Sequence, residues 1–340
     1  MDSVKNRNAS IDLMRLLGAL MVVAGHTSLL FDINENVGYV ISNMLPRLVV
    51  PFFYCVMGYY YIGKLLRGEN AFLSMVKRLL QGYLIWSIIY FIKELIEVIL
   101  SKGDIIELIK TSIFLFFTKG SYFHLWFFPA AFFSIFVVTF LYKMKWMQYG
   151  VVAAVFCLLL GALGSSYYEI GNQIPIITKI VNSPNFVWIR CYFSSSFSFF
   201  MLGYVLQKTY VKDKTKHIEK KIIGCGLLYS FEIFTVNYTG VQRDIAISLS
   251  LAPCLYYLMI FLLNNPLPQY YKTAQYARKM ANFIYYSHPL FIYMIATVGQ
   301  NVFKISLTSS VLFLTTIVFL GVASYLIVKK NDKWFKLLYI

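Results

Sequence analysis

Ten apolar runs, each close to 20 residues long, take up most of this chain. They lie near 13–31, 40–63, 79–100, 122–142, 148–166, 189–207, 221–237, 244–263, 281–300 and 307–328. A helix needs about 20 apolar residues to cross the hydrocarbon core of a bilayer. Inside that core every backbone N–H and C=O must be satisfied by the segment itself, which leaves helices and closed barrels. Runs of this length predict helices. The chain is 59% hydrophobic and only 14% charged, whereas soluble domains carry roughly a quarter charged residues. The fold class expected is therefore an all-α integral membrane protein of about ten transmembrane helices in one bundle, a single domain over residues 1–340. The runs 148–166 and 221–237 are the weakest of the ten, and the short apolar segment 105–118 reads as a re-entrant or interfacial helix.

Orientation follows from the basic residues. Of 31 Lys and Arg, 21 fall in one alternate set of loops and 6 in the other, the remaining four lying within or at the ends of spans. Cytoplasmic loops carry the excess of Lys and Arg, so both termini are expected in the cytoplasm. The basic stretch 208–221 (KTYVKDKTKHIEKK) is the only long hydrophilic segment, and it separates six spans from four. Lys5 and Arg7 precede the first run, but Arg15 interrupts it and no small-x-small cleavage site follows. That stretch is read as a span rather than a cleaved signal.

The formal net charge of +16 would suggest nucleic acid in a soluble chain. Here the basic residues sit between apolar runs, so the expected partner is membrane lipid and not nucleic acid. Five cysteines (55, 157, 191, 225, 254) fall mostly inside apolar runs without a Cys-x-x-Cys pair, as packing residues do. No metal constellation or glycine-rich phosphate loop is evident.

Ionisable groups inside a bilayer cost several kcal/mol and are functional candidates by default. Arg15 and His26 share the first run, eleven residues apart. On a helix that is about 20° beyond three full turns and ~16 Å of rise, so both side chains share one face. Glu232 lies at a depth similar to His26, and a carboxylate there must be paired or protonated. Arg47, in PRLVVPFF, and Arg190, in WIRCYF, sit towards the outer face. Their guanidinium groups suit a sugar, carboxylate or phosphate, or simply snorkel to headgroups. His124 and Trp126, in YFHLWFFPA, open the fourth run. His288, in YYSHPLF, precedes Pro289, which frees a backbone carbonyl; a local hydrogen bond at that kink is its plainest reading. Lys93, with Glu94 and Glu97, reads as a snorkelling lysine at a helix end.

These elements together resemble the acyltransferase-3 family of bacterial membrane acyltransferases. IDLMRLLGALMVVAGH is similar to that family's first-helix signature, a basic residue, ten intervening residues and a histidine, met by Arg15 and His26. PRLVVPFFYCVMGYYY resembles its second-helix pattern through Arg47, Pro51, Phe52, Phe53 and Gly58. FHLWFFPA resembles a His-Leu-Trp-aromatic-Leu-Pro element, with Phe128 where the pattern has leucine. WIRCYFSSSFSFFMLGYVL and NFIYYSHPLFIY resemble the family's Arg…Phe-Phe-x-x-Gly and Tyr-x-x-His-Pro spans. The matches run from residue 11 to about 293. Departures exist as well: the first basic loop offers Lys77-Arg78 where the family often has paired arginines. Neither an esterase-like domain nor the racemase domain of a transport-like subgroup, known from vancomycin-resistance serine racemases, is recognised.

The resemblance implies transfer of an acyl group, usually acetyl, from cytoplasmic acyl-CoA to a hydroxyl of a cell-surface glycan or lipid-linked sugar, at a bacterial cell membrane. Acyl-CoA is then a donor substrate, and no tightly bound cofactor is expected. His26 would be the base or a transient acyl carrier, Arg15 would bind phosphate or polarise the thioester, and Glu232 would tune or orient His26. Arg47, His124, Trp126, Arg190 and His288 would line the acceptor side. The alternative is a transporter or flippase for a small polar solute such as an amino acid or glycan.

Overall fold

The structure, a computed structural model, describes residues 8–211, 216–330 and 332–339. Lys5, Arg7, Lys212 and Lys214, which entered the orientation count, lie outside the described residues, as does the middle of the basic stretch 208–221. Every regular element among the described residues is helical. Each of the ten apolar runs coincides with a helix or a helix broken by tighter or wider turns, and 105–118 forms its own helix, Ile105–Thr118. Three of these are long and apolar enough to cross a membrane unaided: Ala9–Thr27, Glu35–Leu66 and Ser309–Lys330. A fourth counts Leu251–Asn264 together with Pro268–Asn301, whereas Phe127–Lys143 and Met147–Leu163 are apolar but shorter. Runs read as 20-residue spans are in these cases cut short by turns.

Large apolar side chains are exposed in number. Phe117, Phe136, Val152, Leu227, Phe231 and Val318 are all exposed, a distribution that in water would aggregate and in lipid is at home.

The chain divides into two compact units, one made of Met1–Val49, Lys77–Pro129 and Leu267–Ile340, the other of Val50–Val76 and Ala130–Pro266. In the first unit, the helix Ala9–Thr27 starts at Asn8, whose side chain caps the Ile11 N–H at 3.2 Å. It packs along Tyr271–Asn301 and against Ser309–Lys330. Beyond its end, Asp32 accepts hydrogen bonds from Ser309 Oγ at 2.8 Å and Ser310 Oγ at 2.6 Å. This ties the exit of the first helix to the start of the helix Ser309–Lys330. Near the other end of the chain, Trp86 Nε1 donates to the Leu338 carbonyl and Asn282 Nδ2 to the Tyr339 carbonyl, each at 3.1 Å.

Five rings from four segments stack in this unit as Phe116, Tyr83, Phe128, Tyr286 and Trp86. Successive centroids are 4.6, 5.4, 5.3 and 5.7 Å apart with planes within 15°. Centroid spacings of this size suit offset stacking. Phe128, the departure from leucine, supplies the middle ring.

In the second unit the helix Met147–Leu163 packs on the π-helical segment Arg190–Phe197 and on Ser198–Thr209, and Ile218–Thr239 packs on Leu251–Asn264. Between lipid-soluble helices, close packing replaces water exclusion as the cohesive term, which favours small residues at the contact. Gly58 and Gly203 serve this purpose: a Cβ on Gly58 would collide with the Phe200 carbonyl, and one on Gly203 with the Tyr59 backbone nitrogen.

A candidate site around three histidines

Arg15 and His26 meet the same partner. Arg15 Nη2 donates to Asn282 Oδ1 at 3.2 Å, and the His26 ring lies 5.1 Å from that of His288, both partners being on the helix Tyr271–Asn301. The eleven-residue spacing thus does present one face to one neighbour. Asp12, buried and within 3.9 Å of Arg15 and 4.0 Å of Arg278, balances the charge at this end.

The local chemistry around His288 begins with Pro289. A proline inside a helix has no N–H, so the carbonyl four residues earlier, that of Tyr285, loses its helical partner. His288 Nδ1 lies 2.8 Å from that carbonyl and 3.2 Å from the Ile284 carbonyl. A carbonyl only accepts, so Nδ1 carries the hydrogen. His288 Nε2 is consequently a bare lone pair, fully buried and without a hydrogen-bond partner among the described residues.

His124 is oriented by the same helix. Its Nε2 lies 3.1 Å from the Tyr286 carbonyl, which also accepts from Tyr90 Oη at 2.8 Å, and its own carbonyl accepts from Tyr285 Oη at 2.9 Å. Nε2 must therefore donate, leaving His124 Nδ1 buried and unpartnered. The His124 and His288 rings are 5.1 Å apart. His124 does not sit in a helical turn: the helix begins at Phe127, and residues 121–126 form turns held by Leu125 N–H to the Tyr122 carbonyl at 2.8 Å. Trp126, half-buried, ends this turn.

His26 is the exposed member of the three, and among the described residues it makes ring contacts, with His288 and Phe123, but no hydrogen bond. Arg47 is its electrostatic neighbour. Arg47 is exposed, held at 3.1 Å to Asn43 in a tight turn, Leu45–Leu48, that follows the π-helical Tyr39–Met44. Such irregular turns within helices recur at functional sites. The structure therefore brings Arg15, His26, Arg47, His124, Trp126 and His288 into one unit, with the three histidines in ring contact. Among the described residues no group of three His, Cys, Asp or Glu side chains is arranged to hold a metal ion.

Glu232 and Arg190 belong to the other unit. Glu232 is buried beside a cleft of about 370 Å³ and accepts from Tyr167 Oη at 2.8 Å, Leu249 N–H at 2.7 Å, Ser250 N–H at 2.8 Å and Ser250 Oγ. Arg190 pairs with Asp244 at 2.6 Å and donates to Ser165 Oγ at 2.9 Å. The buried Glu232 and the half-buried Arg190 are each met by partners within their own unit, as polar groups away from water require.

Sequence reasoning missed Asn282, Tyr90, Tyr285 and Tyr286. Three of them lie inside NFIYYSHPLFIY, so the motif carried a signal that went unused. Tyr90 is one of 27 tyrosines and carried none.

Comparison with known proteins adds an independent line. Residues 8–328 match the sequence model of a family described as an acyltransferase domain. An amino-acid racemase of Enterococcus faecalis is 28% identical over 314 residues, covering 88% of this chain and 43% of that protein. A serine/alanine racemase of Enterococcus gallinarum is 25% identical over 185 residues, covering 50% of this chain and 25% of that protein. The chain spans less than half the length of these curated relatives. No solved structure matches.

Proposed function

The chain belongs to the acyltransferase domain family, and from that premise we propose that it is an integral membrane enzyme moving an acyl group, acetyl in the simplest case, from cytoplasmic acyl-CoA to a hydroxyl of a cell-surface or lipid-linked carbohydrate. The observation that carries this reading is the single helix face bearing Arg15 at one end and His26 at the other, against one partner helix. In this reading the chain crosses a bacterial cell membrane about ten times with both termini inside. Arg15 then lies on the donor side, where a guanidinium fixed by Asn282 suits the phosphates of acyl-CoA. His26, exposed and free to turn, takes the proton from the acceptor hydroxyl.

Arg47 and Trp126 border the acceptor side, with His124 behind them. Arg190 and Glu232, saturated by partners in the second unit, contribute by holding that unit together. The assay is release of CoA thiol from acetyl-CoA by protein in liposomes supplied with bacterial surface glycans. A His26→Ala variant is expected to lose at least ~100-fold in rate while keeping its thermal midpoint; full activity would remove His26 from the chemistry.

A second reading, a carrier for a small polar solute, draws on the racemase relatives, whose named substrates are amino acids. Uptake of amino acid into the same liposomes, without thiol release, would favour it.

A further inference from the structure

We propose that His288 is a positioning residue that acts through His26: its bare Nε2 receives the second ring N–H of His26 when His26 becomes protonated. This inference rests on the transferase reading given above. When the acceptor oxygen attacks the thioester carbonyl carbon, the O–H bond breaks and its proton moves to His26. The C–O bond forms, the C–S bond breaks, and the thiolate takes that proton back to leave as CoA thiol. Between those two events His26 is an imidazolium, with N–H donors on both nitrogens. One faces the reacting atoms. The other needs a fixed acceptor if the ring is to stay turned towards the reacting atoms.

His288 meets that need on three separate grounds. Its tautomer is determined by the backbone: Nδ1–H is consumed by the Tyr285 carbonyl that Pro289 releases, at 2.8 Å. Rotating the ring to present Nδ1 instead would break that bond, so Nε2 stays an acceptor. Its Nε2 is fully buried with no hydrogen-bond partner among the described residues, which leaves the lone pair open. Its distance is right. An in-plane imidazole–imidazole hydrogen bond places centroids roughly 5 Å apart, from an N···N separation of about 3 Å plus the two ring radii. The observed separation is 5.1 Å with the planes at 30°, the spacing such a bond requires.

Among the ring neighbours of the described residues, His288 fits the role best. The rings in contact with these two are His124, Phe123 and Tyr285, with Arg47 as a nearby charge. Tyr285 Oη is spent on the His124 carbonyl, and Arg47 only donates. His124 Nδ1 is the other bare acceptor, but its ring touches His288 at 5.1 Å. It stands one imidazole further from His26.

The experiment compares His288→Leu and His288→Gln with the unaltered full chain in liposomes, reading thiol release from acetyl-CoA and thermal midpoints. Leucine removes the acceptor, whereas glutamine keeps a carbonyl oxygen in similar volume. The expected result is a fall in kcat of at least tenfold for His288→Leu, with KM for acetyl-CoA within twofold of the unaltered value. His288→Gln should recover most of that loss. Equal loss in both variants, or a rise in KM without a fall in kcat, would overturn the assignment while leaving the transferase reading intact. No thiol release from the unaltered chain would instead end the transferase reading, and this one with it. A leucine variant that fails to fold leaves the decision to glutamine, whose kcat must stay within threefold for the proposal to stand.

Discussion

Asp32 shows how one residue at a helix exit couples distant parts of the chain. Its carboxylate accepts from Ser310 Oγ, Ser309 Oγ and, at 3.3 Å, the Ser310 N–H. These hydroxyl bonds, that from Ser310 foremost, hold the Asp32 carboxyl well below its ordinary value of 3.8. A native carboxyl held below its unfolded value contributes stability that is complete above the unfolded value and fades as pH falls towards the native one. The thermal midpoint of Asp32→Asn should therefore lie below that of the unaltered chain by a constant gap from pH 7 to about 5. Below about pH 4 the gap should narrow; a gap that widened towards acid would refute the clamp. This residue drew no attention in the sequence, because an aspartate outside a span looks like any solvated charge. His26 and Arg15 were legible for the opposite reason: charge and polarity inside an apolar run are costly and need a purpose. What remained illegible was partnership. Nothing in the positions 26, 124 and 288 announces ring contact, since it depends on packing between segments more than a hundred residues apart, and on a carbonyl freed by Pro289. The partners of Glu232 were equally illegible: its oxygens accept from Tyr167, Leu249 and Ser250, and no spacing in the chain points to them.

At the scale of elements, apolar runs of about 20 residues were enough to locate the long helices among the described residues, because a chain read as lipid-embedded must satisfy its backbone within each run. They overstated regularity. The segments 39–44 and 190–197 widen into π-helical turns and 45–48 tightens, changes that leave hydropathy untouched and so leave no trace in the pattern. Contacts between helices are better signalled by glycine. Gly58 lies directly against the Phe200 backbone, where neither partner can yield by rotating a side chain. Gly58→Ala should lower stability by about 1–3 kcal/mol through overpacking. Gly224→Ala, with nothing within 4 Å of its added carbon, should be neutral or raise it by up to about 1 kcal/mol. Thermal unfolding in one detergent tests the pair together, and similar effects in both would mean the close approach is not holding the second unit.

For the whole molecule, orientation is the property on which the division of labour depends. If 21 of the 31 basic residues mark the cytoplasm, a cysteine placed at Lys216 in a cysteine-free chain should resist a membrane-impermeant maleimide added to intact cells. One at Lys179 should react. The reverse labelling would exchange donor and acceptor faces and put Arg15 on the wrong side for acyl-CoA. In the proposed function such an enzyme would work between two compartments, and watching it work would call for a reporter inside it. The five-ring stack supplies one. Tyrosines absorb ultraviolet light at shorter wavelengths than indole and pass excitation to it over short distances. Trp86 ends a column containing Tyr83 and Tyr286, with its Nε1 hydrogen on the Leu338 carbonyl. Its glow is thus fed from the wall behind the histidines and coloured by the chain's final turn, so that a change at either would alter the light this one side chain emits.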